Sequence, residues 1–222
     1  GKTAAERGYF MDSRTFKITS TNNHVPLKIT PGHFATNHSH INYYLDVTTL
    51  KARMSEARQA AEALAGMYMY DTVVDTIVCL DGTQIIGAYL AEALTNAGVM
   101  SRNAHQTIYV IAPEYNSNSQ MVFRENTQPM VTGKNVILLM ASITTGKTIA
   151  KGIECIRYYG GILAGISTIF SAIEETDGIH INSIFGMRDL PDYQAHDYRD
   201  CPFCQKGIKL DALVNSYGYS KL

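Results

Sequence analysis

Tryptophan is absent from this 222-residue chain, proline occurs only six times and cysteine only four. Four cysteines in a chain of this size are too few for a disulfide scaffold. No apolar stretch reaches the roughly 18–20 residues that a membrane-spanning helix needs, and the aliphatic run around Val136–Met140 falls far short. Neither sign of charge is in excess. Nineteen basic residues face twenty acidic ones, a formal net charge of −1, which favours neither a nucleic acid nor an anionic membrane as partner. Internal repeats, low-complexity tracts and dividing linkers are missing as well. The opening Gly1–Glu6 has no apolar signal region, so the expectation is a reduced, cytoplasmic protein.

What is present is an ordinary globular composition. Hydrophobic residues make up 45% and charged residues 18%, which rules out disorder, and the length suits one domain over 1–222. After a polar, His-rich start, Ala57, Ala60, Ala61, Leu64, Met67 and Tyr68 recur at helical spacing, predicting an amphipathic helix from about Thr49 to Tyr68. A β-branched run at Val73–Leu80 then leads through an Asp81-Gly82 turn to a helix over Ile85–Leu94, ending near Asn96 and Gly98. Thr107–Ala112 reads as a second strand. Pro113–Gly133 is polar and has no helical period, and loops of that length are usually lids or binding loops. The alternation resumes with strand Asn135–Met140, helix Lys147–Tyr159, and strands Ile162–Phe170 and Ile179–Phe185. Strand–helix–strand repeats of this kind predict an α/β fold with a mainly parallel sheet flanked by helices.

Ligands of such sheets bind where loops leave the carboxyl ends of strands. Two loops therefore matter most. In the first, Ser142, Thr144, Thr145, Gly146, Lys147 and Thr148 combine hydroxyl donors, a glycine and a helix N-terminus, which suits a phosphate monoester. A plain helix cap would need only one threonine. The loop is not a Walker P-loop, because Ala141 stands where that motif has its leading glycine. In the second, Asp81, Gly82 and Thr83 form a turn whose carboxylate could hold Mg²⁺ against phosphates or cap the following helix. Elsewhere, His33, His38 and His40 cluster with Asn37 and Asn42. They could suit a metal, although a polar surface segment is the simpler reading. Cys201 and Cys204 with His196 give three zinc ligands within nine residues. A fourth is wanting, since Cys79 and Cys155 belong to a strand and a helix, so a reduced pair in a tight turn is preferred to zinc.

The stretch Val136–Thr148 resembles the phosphoribosyl-diphosphate motif of the type I phosphoribosyltransferases. Pro31-Gly32-His33, Ser39–Tyr44 and the tail Cys201–Gly207 are similar to segments of the orotate phosphoribosyltransferase branch. The resemblance implies that family's fold, with a small hood built from about 1–48 and 186–222. It implies a ribose 5-phosphate, phosphoribosyl diphosphate or nucleotide as small-molecule partner, and a homodimer. It places the 5′-phosphate on Ser142–Thr148, the pyrophosphate at Asp81-Gly82-Thr83 with Mg²⁺ on Asp81, and the base near Ser39 and Tyr44. Two features depart from the family. Its paired acidic residues fall on Met140 and Ala141, and its Lys-rich catalytic loop corresponds to Pro113–Gly133, whose only base is Arg124. Lost cations at a departing pyrophosphate cost several powers of ten in rate. The expectation is phosphate binding with impaired phosphoribosyl transfer or, alternatively, a non-catalytic sensor of nucleotides or sugar phosphates.

Overall fold

The computed structural model describes residues 13–96, 101–104 and 106–222. The first twelve residues of the expected hood, and Gly98 at the expected helix end, lie outside them.

The apolar runs build a six-stranded sheet. Its strands are β4 (Thr76–Cys79), β5 (Tyr109–Ile111), β8 (Asn135–Ile143), β9 (Ile162–Ser171), β10 (Glu175–Thr176) and β11 (Ile179–Gly186), in the spatial order β10-β11-β9-β8-β4-β5. All neighbours run parallel except the β10–β11 hairpin. Successive side chains alternate between faces, and the core divides accordingly. Ile77, Cys79, Ile137 and Leu139 pack beneath the helices Met54–Ala65 (α2) and Gln84–Asn96 (α3). Val78, Leu80, Val136, Leu138 and Met140 pack against Ile149, Ile153 and Ile156 of Lys147–Tyr158 (α4). Helix α3 lies so close to the sheet that a Cβ on Gly87 would stand 2.5 Å from Cys79 Sγ. The sequence reading of this parallel sheet and its helices holds.

A second sheet forms the hood. It contains β1 (Phe16–Thr19), β2 (Pro26–Ala35), β3 (His40–Asp46), β12 (Ala195–His196), β13 (Ala212–Asn215) and β14 (Gly218–Lys221). The order is β12-β3-β2-β13-β14, with β1 also on β2. The chain's last strands thus pair with its first ones, β13 lying parallel to β2. Leu27, Ile29, Phe34, Ile41, Ala212 and Val214 of this sheet join the same core cluster as α2 and α3.

Two expectations need correction. The helix predicted over Thr49–Tyr68 is two helices, Thr48–Ala52 (α1) and α2, broken where Arg53 adopts extended backbone (φ −88°, ψ 119°). It also ends at Ala65. Tyr68 is nevertheless buried, because its hydroxyl bonds Ser167 Oγ at 2.6 Å and the Ile166 carbonyl at 3.1 Å. Pro113–Gly133 is more ordered than a plain loop. It contains a hairpin of β6 (Glu114–Tyr115) and β7 (Met121–Val122), then a 3₁₀ turn at Gln128–Met130. The Asn116 side chain closes that hairpin by accepting from the N–H groups of Asn118 and Gln120, a side-chain turn that period-based reading does not detect.

Candidate functional site

A cavity of about 520 Å³ opens at the carboxyl ends of β4 and β8, beneath the hood. One wall is the loop from Ser142 to Thr148, all of whose predicted phosphate-binding residues line it. Gly146 stands at φ +81° immediately before α4, a left-handed conformation that favours glycine. Among the described residues no side chain caps α4, so its first-turn N–H groups stay open, and the helix dipole adds positive potential there. Among the described residues, no protein hydrogen bond occupies the hydroxyls of Thr144, Thr145 or Thr148. Lys147 and Lys151 also line this wall. The floor is Met140 and Ala141, which are apolar and buried.

Opposite stands the Asp81–Gly82 turn, with both residues in left-handed backbone (φ +57° and +73°). Asp81 is the one carboxylate lining the cavity among the described residues. Its Oδ2 accepts from the Ala141 N–H at 3.3 Å, so the side chain reaches across to β8 instead of capping α3. Burial raises the Asp81 carboxyl above the usual carboxylate range, against the Ala141 hydrogen bond and the Lys51 charge, which lower it. Thr83 does not line the cavity: fully buried, it donates its hydroxyl to the Leu80 carbonyl at 2.7 Å. Gly82 shapes the turn and is likewise absent from the lining.

Lys51 is a site residue that the sequence reading missed. From α1 its ammonium donates to the Asp81 carbonyl at 2.8 Å and to the Ser216 carbonyl beyond β13. Burial lowers its pKa, while Asp81 and Asp46 oppose that shift. It ties the turn of the parallel sheet to the last hairpin of the hood. A lysine in a five-residue helix carries no sequence signal for such a bridge.

The hood end is lined by Thr36, Asn37, His38, Tyr44, Tyr193 and the segment from Val214 to Ser216. Tyr44, expected near the base, lines the cavity. Ser39 is not, because its hydroxyl and backbone close a turn with Thr36. Tyr193 was not foreseen. It is buried, packs 5.0 Å from Phe170, and its hydroxyl has no hydrogen-bond partner among the described residues. A buried hydroxyl beside a cavity calls for a partner that the described residues do not supply.

The β6–β7 hairpin brings Tyr115, Ser119 and Met121 to the cavity edge. Arg124, the only base of this segment, pairs with Glu114 of the same hairpin at 2.6 Å. The metal candidates also rearrange. His196 bonds Gln194 Oε1 at 3.1 Å and stands outside the cysteine cluster, and exposed His38 belongs to the cavity lining. Instead, His33 and His40 converge on Cys201 and Cys204.

No family profile matches the chain. A curated relative, an adenine phosphoribosyltransferase from Desulforamulus reducens, is 28% identical over 136 residues, covering 59% of this chain and 77% of its own. Among solved structures, the UMP synthase of Leishmania donovani superposes with a TM-score of 0.54 at 14% identity, over 85% of this chain and 37% of that one. The orotate phosphoribosyltransferase of Mycobacterium tuberculosis gives 0.50 at 14% identity, over 84% and 97%. An adenine phosphoribosyltransferase from Thermoanaerobacter pseudethanolicus gives 0.50 at 15% identity, over 80% and 98%. The fold is therefore that of the type I phosphoribosyltransferases, the family that the Thr-Thr-Gly loop resembles in sequence.

Proposed function

We infer that the chain binds the 5′-phosphate of a ribosyl compound (ribose 5-phosphate, phosphoribosyl diphosphate or a nucleotide) on the loop from Ser142 to Thr148, and that it transfers the phosphoribosyl group slowly or not at all. The observation that carries the binding is the cradle itself. Open N–H groups, unoccupied threonine hydroxyls and a left-handed glycine face one cavity. Such an arrangement holds a phosphate through several short hydrogen bonds and a favourable dipole.

The sugar would lie over Met140 and Ala141, whose side chains accept no hydrogen bond in the way a carboxylate would. It is thus held at its phosphate end and loosely at its hydroxyls, which forfeits the positioning that speeds a displacement. Asp81 is the residue that would hold Mg²⁺. Its Oδ2 takes the Ala141 N–H, and a cation of this kind needs only one or two carboxylates plus phosphate oxygens. When bound, that ion neutralises charge on the pyrophosphate. Arg124 is engaged by Glu114 and Lys51 by two carbonyls, so neither is a free cation for the leaving group. The base would sit against Tyr44 and Tyr193. The curated relative and the solved neighbours include enzymes named for adenine as well as orotate, so the orotate resemblance alone does not choose the base. The resemblance also implies a homodimer, which sedimentation at micromolar concentration checks.

Calorimetry tests the binding and pyrophosphate release tests the chemistry. Ribose 5-phosphate and nucleoside 5′-monophosphates should bind, and the unphosphorylated nucleosides should not. Pyrophosphate release from phosphoribosyl diphosphate with orotate, uracil or adenine should be slow or undetectable. Equal binding with and without the phosphate would overturn the cradle. Turnover within the roughly 1–10³ s⁻¹ usual for enzymes would overturn the impaired transfer.

A further inference from the structure

We propose that His33, His40, Cys201 and Cys204 form a structural zinc site that staples the two chain-terminal parts of the hood together. The ligand atoms come from β2, β3 and the short helix Pro202–Gln205 (α5) with its preceding residue, and all lie within 4.8 Å of one another. His33 Nε2 is 3.1 Å from His40 Nδ1, 3.4 Å from Cys201 Sγ and 3.7 Å from Cys204 Sγ. Cys204 Sγ is 3.3 Å from His40 Nδ1. A tetrahedral zinc with ordinary bond lengths separates two nitrogens by about 3.3 Å and a nitrogen from a sulfur by about 3.6 Å. The observed separations scatter around those values.

The surroundings fit a metal better than a hydrogen-bonded cluster. His33 Nδ1 faces the Ile208 carbonyl at 2.9 Å, so that nitrogen carries the proton and Nε2 presents a lone pair to the cluster. This carbonyl contact is the outer-shell bond that orients a metal-ligating histidine. Phe203 stacks on the same ring at 5.2 Å, fixing its plane. Without a cation, a second imidazole nitrogen and two weak thiol donors would share one lone pair. Two thiolates and two neutral imidazoles around Zn²⁺ sum to zero charge, which suits a site where His33 and Cys201 are buried. Thiolate with imidazole is also a donor set that zinc accepts readily.

The cysteines are presented together because residues 201–207 form one helical turn. Gln205 N–H bonds the Cys201 carbonyl, Ile208 N–H bonds the Phe203 carbonyl, and Gly207 exits at φ +68°. Downstream, the Asp211 N–H bonds the His33 carbonyl at 2.7 Å, and β13 pairs with β2. Closing so long a loop with a metal restrains the unfolded chain and holds the hood in register. Ser216, which Lys51 grips, follows β13, so the staple supports the hood wall of the cavity. The site does not depend on the phosphate-binding reading above.

The test uses the full chain purified from zinc-replete medium under reducing conditions. Elemental analysis should find about one zinc per chain, the stoichiometry of a closed four-ligand site. Exchange with Co²⁺ should give sulfur-to-cobalt charge transfer in the near ultraviolet and the intense visible bands of a tetrahedral centre. Cys201→Ser and Cys204→Ser should lose both signals, whereas His196→Gln should keep them. Maleimide should label the native zinc protein little and gain two sites after chelation, since Cys79 and Cys155 are buried in the two main cores. Wild-type protein without metal and without the cobalt spectrum would overturn the proposal, whatever the variants do. So would a Cys201–Cys204 disulfide found in the protein as isolated.

Discussion

The two ends of the cavity are built in opposite ways. The proposed phosphate end is a single contiguous segment, Ser142–Thr148, at the carboxyl end of β8 in the parallel sheet. The hood end draws on four separate stretches, near residues 36–38, 44–51, 193 and 214–218. At one end the backbone conformation of a few neighbours makes the site. At the other, strand pairing, the Lys51 bridge and the histidine–cysteine cluster must first bring distant segments together. The first end should therefore fail by local backbone change, and the second by loss of long-range support.

The largest effect should come from Gly146→Val. A β-branched residue resists the left-handed backbone there, and its Cβ would also crowd Ile173 Cδ1 at 3.2 Å. Ribose 5-phosphate affinity should fall by about 100-fold or more, read by calorimetry, with the circular dichroism unchanged. Stripping the proposed zinc should act on the other end. Nucleotide affinity should drop about tenfold as the hood loses its preorganisation, while binding of inorganic phosphate changes little. If both ligands weakened equally, the two ends would not be separable.

Tyr193→Phe sharpens the contrast further. It removes a hydroxyl that has no partner among the described residues, so stability should hold or rise. Affinity for a nucleotide should fall about fivefold, the usual effect of one lost hydrogen bond, and ribose 5-phosphate should be unaffected. Asp81→Asn reports on electrostatics between the two ends. Because burial raises the Asp81 pKa, its charged form costs stability at neutral pH. That cost disappears in acid, below the unfolded carboxylate range, where the group is protonated in both states. The variant should therefore have a higher Tm than wild type at pH 7, with the difference vanishing as pH falls through the carboxylate range. Lys147→Ala should matter least. This exposed side chain contributes one screened charge, and phosphate affinity should change by about twofold, less at high salt.

The same contrast explains what could be read in advance. The parallel strands were legible because each is a continuous apolar run, and the helix Lys147–Tyr158 because Ile149, Ile153 and Ile156 share one face. The hood sheet was not legible strand by strand from period. It came only through resemblance, since Ala212 of β13 finds its partner in Phe34 of β2, far earlier in the chain. The break at Arg53 was missed because the apolar spacing runs across it. Asp81 was found as a strand-end acid, yet its reach to the Ala141 N–H depends on the β4–β8 register.

By itself, then, the sequence determined the layered α/β architecture and marked out the Thr-Gly loop of the proposed phosphate site, because hydrophobic periodicity and turn chemistry act between neighbours in the chain. It also supplied both halves of the proposed metal site, a histidine group and a cysteine pair, without joining them. Only the tertiary structure paired His33 and His40 with Cys201 and Cys204, set Lys51 across the cavity and left the Tyr193 hydroxyl unpartnered. Each of these depends on contacts between segments more than a hundred residues apart or on the burial those contacts create, and no local pattern in the chain encodes them.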